Sequence, residues 1–150
     1  MYRRILVPLD SSELAERSLV DLKEIAGMSE SVPEVVLFMV TKPAIETIPV
    51  YYEGLGGSLA GEVQKSTEAY ARGYISKVAD RLKEDGIAAQ TVLVQGDPAK
   101  EIINYSENNQ IDLIIISSFG RSGDSRWALG KVTDRVVHYS RVPVLVVRPV

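Results

Sequence analysis

A chain of 150 residues with 45% hydrophobic and 25% charged side chains is long enough to bury one sizeable core, so we expect a single domain over residues 1–150. The absence of cysteine excludes disulfides, thiol catalysis and cysteine-ligated metal, and no apolar run approaches the length of a membrane span. The first residues lack the long apolar stretch of a signal peptide, so we predict a cytoplasmic protein.

The formal net charge of −3 is unevenly distributed along the chain. Residues 117–150 contain six basic and two acidic residues and carry +4, so the remainder carries −7. A basic corner on an acidic body suits a small anionic ligand better than nucleic acid, which would need a broad basic face. A chance distribution of solvated charges is the competing interpretation.

Five short apolar runs predict the β-strands of a parallel sheet covered on both faces, over residues 4–9, 34–40, 89–94, 112–116 and 142–147. Between these runs, helical periodicity predicts one helix over residues 11–26 and another over residues 58–85. We expect a short third helix that Asp97 caps, and a fourth helix that begins near Lys131. In the long helix we expect one stripe to contact the core, formed by Leu59, Val63, Thr67, Tyr70, Tyr74, Ile75, Val78, Ala79 and Leu82.

This alternation predicts a doubly wound α/β domain, with a five-stranded parallel sheet and helices on both faces. Ligands of such domains bind beyond the carboxyl ends of the strands, at the point where strand order reverses. Asp10 follows the first strand and Ser117 ends the fourth, so both are candidates for that crevice if the two strands are neighbours. Asp10 has two possible roles. It caps the first helix, or it accepts a hydrogen bond from a bound ligand or coordinates a metal ion that accompanies the ligand.

A glycine-containing loop with Gly120, Gly123 and Gly130 connects the fourth strand to the last helix. Glycine permits close backbone approach, and free N–H groups at a helix start attract anions, so this loop is a candidate phosphate cradle. A tight connection with Trp127 and Leu129 packing beneath it is the alternative.

Other cofactor and catalytic motifs fail on the residues present. A P-loop would need glycine at Ser125 and a hydroxyl residue at Val132, and a dinucleotide fingerprint from Gly54 would need a third glycine at Leu59. His138, the only histidine, lies off the apolar face of the last helix, so we expect it to face solvent rather than join a catalytic triad or a metal cluster.

Three segments resemble the universal stress protein family over essentially the whole chain: RRILVPLDSSELAERSL, GDPAKEIINYSENNQIDLIIISS and GRSGDSRWALGKVTDRVVHYSRVPVLVVRP. The resemblance implies the sheet order 3-2-1-4-5, which makes strands one and four neighbours. Many family members bind ATP through the motif G-x-x-G, nine residues, then G and Ser or Thr. Gly120 and Gly130 keep that spacing, whereas Ser117 replaces the first glycine and Lys131 replaces the final hydroxyl residue with a cation that can reach a phosphate.

The resemblance also implies which residues surround ATP. Pro8, Leu9 and Asp10 would border the adenosine, and Val40 would line the adenine. The ribose and phosphates would be held by Ser117, Gly120, Arg121, Gly130, Lys131, Val132 and Thr133. Asp10 would coordinate a metal ion only when the bound nucleotide carries Mg²⁺. The expected cofactor is therefore ATP, with or without Mg²⁺.

We therefore expect an ATP-binding stress-response regulatory protein without catalytic residues. A homodimeric interaction module that does not bind nucleotide, and a slow ATP hydrolase, are the alternatives. The apolar strand between Val142 and Val147 lies at a sheet edge in the implied order, where a bare strand invites pairing. We expect a homodimer through this strand, as the resemblance also suggests, and no nucleic-acid or membrane partner.

Overall fold

The computed structural model describes residues 1–43, 56–118 and 129–148, and for residues 56–58 the backbone only. The strands are β1 (Arg4–Leu9), β2 (Glu34–Thr41), β3 (Ala89–Gln95), β4 (Leu113–Ser117) and β5 (Val144–Val147). The helices are α1 (Glu13–Glu16), α2 (Ser18–Met28), α3 (Gly56–Glu84), α4 (Pro98–Asn108) and α5 (Lys131–Tyr139). Within the described ranges, no helix combines the length and hydropathy that a membrane crossing requires.

The five strands form one parallel sheet in the order β3-β2-β1-β4-β5. This confirms both the predicted doubly wound class and the strand order that the family resemblance implied. Strands β1 and β4 are neighbours, with Ile5 opposite Leu113 and Leu6 opposite Ile114. Because the chain continues to β2 on one side of β1 and reaches β4 on the other, the strand order reverses between β1 and β4.

Two apolar layers cover the sheet, as continuous apolar strands require. On one face α1, α2 and α3 pack against the strands through Ala15, Leu19, Leu22, Ala26, Ala71, Ile75, Val78 and Leu82. On the other face α4 and α5 pack through Ala99, Ile102 and Val136, together with the half-buried Ile103, Tyr105 and Val132. Helices therefore lie on both faces, as predicted.

The helix predicted over residues 11–26 is interrupted and is correctly described as two helices. Helix α1 ends at Glu16, α2 begins at Ser18, and Arg17 lies between them. The hydroxyl of Ser18 donates to the carbonyl oxygen of Ala15 at 2.6 Å. This is the competition between serine side chains and backbone donors that disfavours serine inside helices.

The expected core stripe of α3 is wrong at Thr67 and Tyr70. Ala71, Ile75, Val78 and Leu82 are buried, whereas Tyr70 is 65% exposed and Thr67 is also exposed. The buried positions follow a spacing of four, three and four residues, which selects a narrower face than the predicted stripe.

The last strand begins later than predicted, at Val144 rather than at residue 142. The hydroxyl of Ser140 accepts from the amide of Val142 at 3.0 Å and donates to the carbonyl of the same residue at 2.9 Å. This side-chain turn, followed by Pro143, uses the backbone groups that a longer strand would pair with β4.

Candidate functional site

Those predicted site residues that the structure describes lie around the carboxyl ends of β1, β2 and β4 and at the start of α5. Pro8 and Leu9 are buried at the end of β1, opposite Phe38 and Met39 of β2. Val40, the next residue of β2, is half-buried and packs against the layer that contains α4 and α5. Gly120 and Arg121 lie outside the described residues.

Asp10 shapes the turn that follows β1. Its Oδ1 accepts from the amide of Ser12 at 3.0 Å, and Ser11 between them has φ 67°. The cap of α1 is Ser12, whose Oγ accepts from the amide of Ala15 at 3.0 Å. The interpretation of Asp10 as the helix cap is therefore wrong: the carboxylate orders the turn one step before the cap.

Ser117 ends β4 and is hydrogen-bonded through both its side chain and its backbone. Its Oγ donates to the carbonyl oxygen of Ala15 at 3.2 Å, and its own carbonyl accepts from Thr133 Oγ1 at 3.0 Å. Ser117 is 6% exposed and Thr133 is 4% exposed. The two hydroxyls that the family resemblance assigned to ribose and phosphates thus make hydrogen bonds within the protein.

The start of α5 is the part of the site best suited to an anion. Gly130 occupies the N-cap position with φ 87°, and its carbonyl accepts from the amide of Asp134 at 2.9 Å. A residue with a Cβ is strained at this φ, which explains the glycine. Gly130 itself has no side chain with which to cap the helix, so among the described residues the first amides of α5 lack the side-chain acceptor that usually caps a helix.

The three residues after Gly130 differ in environment. Lys131 is exposed, Val132 packs half-buried against the core, and Thr133 is buried against the end of β4. The basic side chain can therefore reach a ligand in solvent, while the other two fix the first turn of α5 to the sheet.

Sequence reasoning missed an ion pair that holds α5 against α4. Asp97 caps α4, as predicted, by accepting from the amide of Lys100 at 3.0 Å. Its carboxylate also accepts from Arg135 Nη1 at 3.2 Å and 2.9 Å, one distance to each oxygen. The two residues are 38 positions apart, and no local pattern relates them.

A second group of polar side chains joins α1 to α3. The phenol of Tyr74 donates to Glu16 Oε2 at 2.8 Å, and Arg81 pairs with the other carboxylate oxygen of Glu16. Burial raises the pKa of Tyr74 above its usual range, and the hydrogen bond to the Glu16 carboxylate raises it further. The raised pKa therefore keeps the phenol protonated, and able to donate, at an alkaline pH at which an ordinary tyrosine ionises.

Two further polar residues, Ser118 and His138, differ in their exposure to solvent. Ser118 is buried just beyond β4, and its Oγ has no hydrogen-bond partner among the described residues. His138 is exposed, as predicted, and its Nδ1 lies 3.1 Å from the carbonyl of Asp134. In the part of the chain that the structure describes, no three His, Cys, Asp or Glu side chains are grouped so as to hold a metal ion.

The fold and these motifs agree with comparisons to known proteins. The sequence profile of the Universal stress protein family matches residues 1–148. The chain belongs to the universal stress protein family. Its relatives include the universal stress protein MJ0577 of Methanocaldococcus jannaschii, which is 30% identical over 99% of this chain and 96% of that protein.

Solved structures of the family have the same fold. The MJ0577 structure aligns with a TM-score of 0.84 and 29% identity, over 100% of this chain and 98% of that one. UspA from Lactobacillus plantarum aligns with a TM-score of 0.82 and 23% identity, over 98% of both chains.

Two structural neighbours contain nucleotides. A universal stress protein in complex with cAMP aligns with a TM-score of 0.69 and 20% identity, over 98% of this chain and 97% of that one. A family protein from Arabidopsis thaliana with AMP bound aligns with a TM-score of 0.69 and 16% identity, over 99% and 92%. At these identities the similarity concerns the fold.

Proposed function

We propose that the protein binds an adenine nucleotide, ATP being the expected one, and acts as a cytoplasmic regulatory protein of the stress response. One observation carries the proposal: within the described ranges α5 begins at Gly130 without a side-chain cap, and Thr133 in its first turn is bonded to the end of β4. Uncapped amides at a helix start attract phosphate groups. Their place beside the strand-order reversal is where this class of fold binds ligands.

The charge of Lys131 supports the same proposal. A cation in the first turn of a helix opposes the helix dipole, at a cost of about 0.3–1 kcal/mol when the site is exposed. A phosphate bound there would offset this cost, because it would accept from the helix amides and pair with the ammonium group of Lys131.

The nucleotides in the two structural neighbours, AMP and cAMP, support an adenine nucleotide as the ligand class. In the proposed complex Pro8, Leu9, Asp10 and Val40 border the adenosine. Gly120, Arg121, Gly130, Lys131 and Val132 face the ribose and phosphates. A Mg²⁺ ion accompanying the nucleotide would be met by Asp10, since carboxylate oxygens suit that ion.

The direct test is to denature the purified protein, identify released small molecules by mass spectrometry, and titrate ATP calorimetrically. We expect Gly130→Ala to weaken binding strongly, because it strains the backbone at the helix start. Gly86→Ala is the matched control, since Gly86 has φ +83° and an added Cβ there meets nothing within 4 Å. Absence of both a retained nucleotide and a heat of ATP binding would reject the proposal.

A homodimeric interaction module remains the second candidate, and the β5 edge favours it. Within the described sheet β5 pairs only with β4, and Leu145 on it is 36% exposed. An exposed apolar edge strand favours pairing with a second strand. Light scattering after size exclusion should give twice 16.5 kDa, and Leu145→Lys should give a monomer. Val20→Lys, at an exposed position of α2, is the control that should remain dimeric.

The two candidates differ in their response to ATP. A nucleotide that binds the folded state must raise apparent stability, whereas an interaction module should show no such shift. Slow ATP hydrolysis is the third possibility, and a turnover rate that Asp10→Ala leaves unchanged would argue against it.

A further inference from the structure

Ser117 makes hydrogen bonds toward both faces of the sheet. Its side chain bonds to Ala15, which belongs to the apolar layer of α1, α2 and α3. Its carbonyl bonds to Thr133, which precedes Val136 on α5 in the opposite layer. One residue at the end of β4 thus connects the helix that follows Asp10 with the helix that follows Gly130.

The first of these bonds is made at the break between α1 and α2. In a continuous helix the carbonyl of Ala15 would face the amide four residues later. At the break this oxygen accepts from two serine hydroxyls, Ser18 Oγ at 2.6 Å and Ser117 Oγ at 3.2 Å. The carbonyl oxygen of Ala15 at the end of α1 is therefore within hydrogen-bonding distance of β4, and Ser117 at the end of β4 donates to it.

The second bond fixes the first turn of α5. Thr133 is the third residue of that helix, and its hydroxyl is buried where it donates to Ser117. A hydroxyl buried without its acceptor loses solvation that it does not regain, so this geometry is strongly preferred. The position of the α5 amides relative to β4 then depends on Thr133.

We infer that Ser117 is a positioning residue that couples the two halves of the proposed nucleotide site, the Asp10 turn and the start of α5. The inference rests on the proposed function for its effect on the ligand. Ser117 stands where the family motif has glycine. Its hydroxyl is engaged by the carbonyl oxygen of Ala15 in α1, so in this inference the serine supports the site instead of filling it.

If Ser117 positions the site, its substitution should weaken ATP binding. Ser117→Gly restores the motif glycine, and Ser117→Ala removes only the hydroxyl. Both should weaken ATP binding about fivefold, the scale of one neutral hydrogen bond. Thr133→Val should weaken it by a similar factor, whereas Thr133→Ser, which retains a hydroxyl, should stay near wild type. An obstructing serine predicts the reverse, and equal or tighter binding by Ser117→Gly would overturn the inference.

A matched control separates positioning from general destabilisation. Ser106 is also fully buried, and its Oγ donates at 2.8 Å to the carbonyl of Ile103 within α4. Ser106→Ala should lower stability by an amount similar to Ser117→Ala and leave the ATP dissociation constant unchanged. Equal losses of affinity in the two variants would show that Ser117 contributes only to stability, and would reject the inference.

Hydrogen exchange of the ligand-free protein tests the coupling without nucleotide. Thr133→Val should speed exchange of the amides of residues 12–17 across the sheet, and Ser117→Ala should speed exchange at residues 131–136 as well as 12–17. If exchange changes only next to each substitution, the two halves are not coupled and the inference is wrong. Should the wild type bind no adenine nucleotide, the proposed function fails, and the exchange data still decide the coupling.

Discussion

The phenol of Tyr74 donates a hydrogen bond of 2.8 Å to Glu16, so that the first turn of helix after β1 is fastened to the middle of α3. Arg81, two turns further along α3, pairs with the same carboxylate. The Asp10 turn is thus held from two directions, by Ser117 through Ala15 and by α3 through Glu16. Each contact can be removed by a single substitution.

Tyr74→Phe should lower the free energy of unfolding by about 1–2 kcal/mol, because it deletes a half-buried bond to a charged acceptor. Urea unfolding monitored by circular dichroism measures the change. Tyr70→Phe is the control, since Tyr70 lies on the same helix and is largely exposed. A loss in the control as large as that in Tyr74→Phe would show that the bond to Glu16 is not the cause.

The raised pKa of Tyr74 predicts an alkaline limit to stability. Burial, followed by the Glu16 hydrogen bond, raises the folded pKa above the ordinary value of 10.0. The folded state therefore holds the proton more tightly than the unfolded state. This contribution to stability is complete below pH 10 and is lost as the pH rises from there toward the folded pKa. Compared with wild type, Tyr74→Phe should lose less stability above pH 10 in urea titrations.

The ion pair between Asp97 and Arg135 should contribute modestly and depend on salt. Both side chains are half-exposed, so a double-mutant cycle with Asp97→Asn and Arg135→Gln should give a coupling of about 0.5–1 kcal/mol that falls at high salt. Asn preserves the cap of α4, whereas Asp97→Ala should cost about 1 kcal/mol more. A coupling that is insensitive to salt would contradict the assignment of an exposed ion pair.

Two glycines should respond to alanine in opposite directions. Gly73 lies inside α3, and an added Cβ meets nothing within 4 Å, so Gly73→Ala should stabilise by about 0.5–1 kcal/mol. Gly86 has equal space but φ +83°, so Gly86→Ala should destabilise by about 1 kcal/mol. Thermal melts of the two variants give the comparison, and shifts of the same sign would refute the backbone argument.

The sequence predicted the elements whose signals are local. Apolar runs located all five strands, Asp97-Pro98 located the start of α4, and Gly130 preceded α5 as expected. The observed boundaries differ from the predicted ones where a side chain competes with the backbone, at Ser18 within the helix predicted over residues 11–26 and at Ser140 before β5. Such competition depends on the surrounding fold as well as on residue type.

The candidate site was less predictable because its contacts join distant parts of the chain. The hydrogen bond from Ser117 to Ala15 joins residues 102 positions apart. In the family motif Ser117 stands out only because it replaces the first glycine. The partner of a side chain at this separation follows from strand order and helix placement, which periodicity does not encode. Asp10 similarly gave two interpretations, and the cap proved to be Ser12, two residues on.

Helix α3, with 29 residues, is far longer than the seven-residue strand β3 that follows it. At 1.5 Å per residue it measures about 43 Å, against about 23 Å for the strand. Among its described side chains, those from Leu59 to Tyr70 are exposed or only partly buried, and full burial begins at Ala71. The side chain of Gln64 is hydrogen-bonded to Gln95 at the carboxyl end of β3. The free energy of local opening should therefore rise along the helix from its first turns to Leu82. The helical turns that border the carboxyl edge of the sheet should therefore have the lowest free energy of opening in α3. Amide protection factors measured along the helix would show this gradient residue by residue.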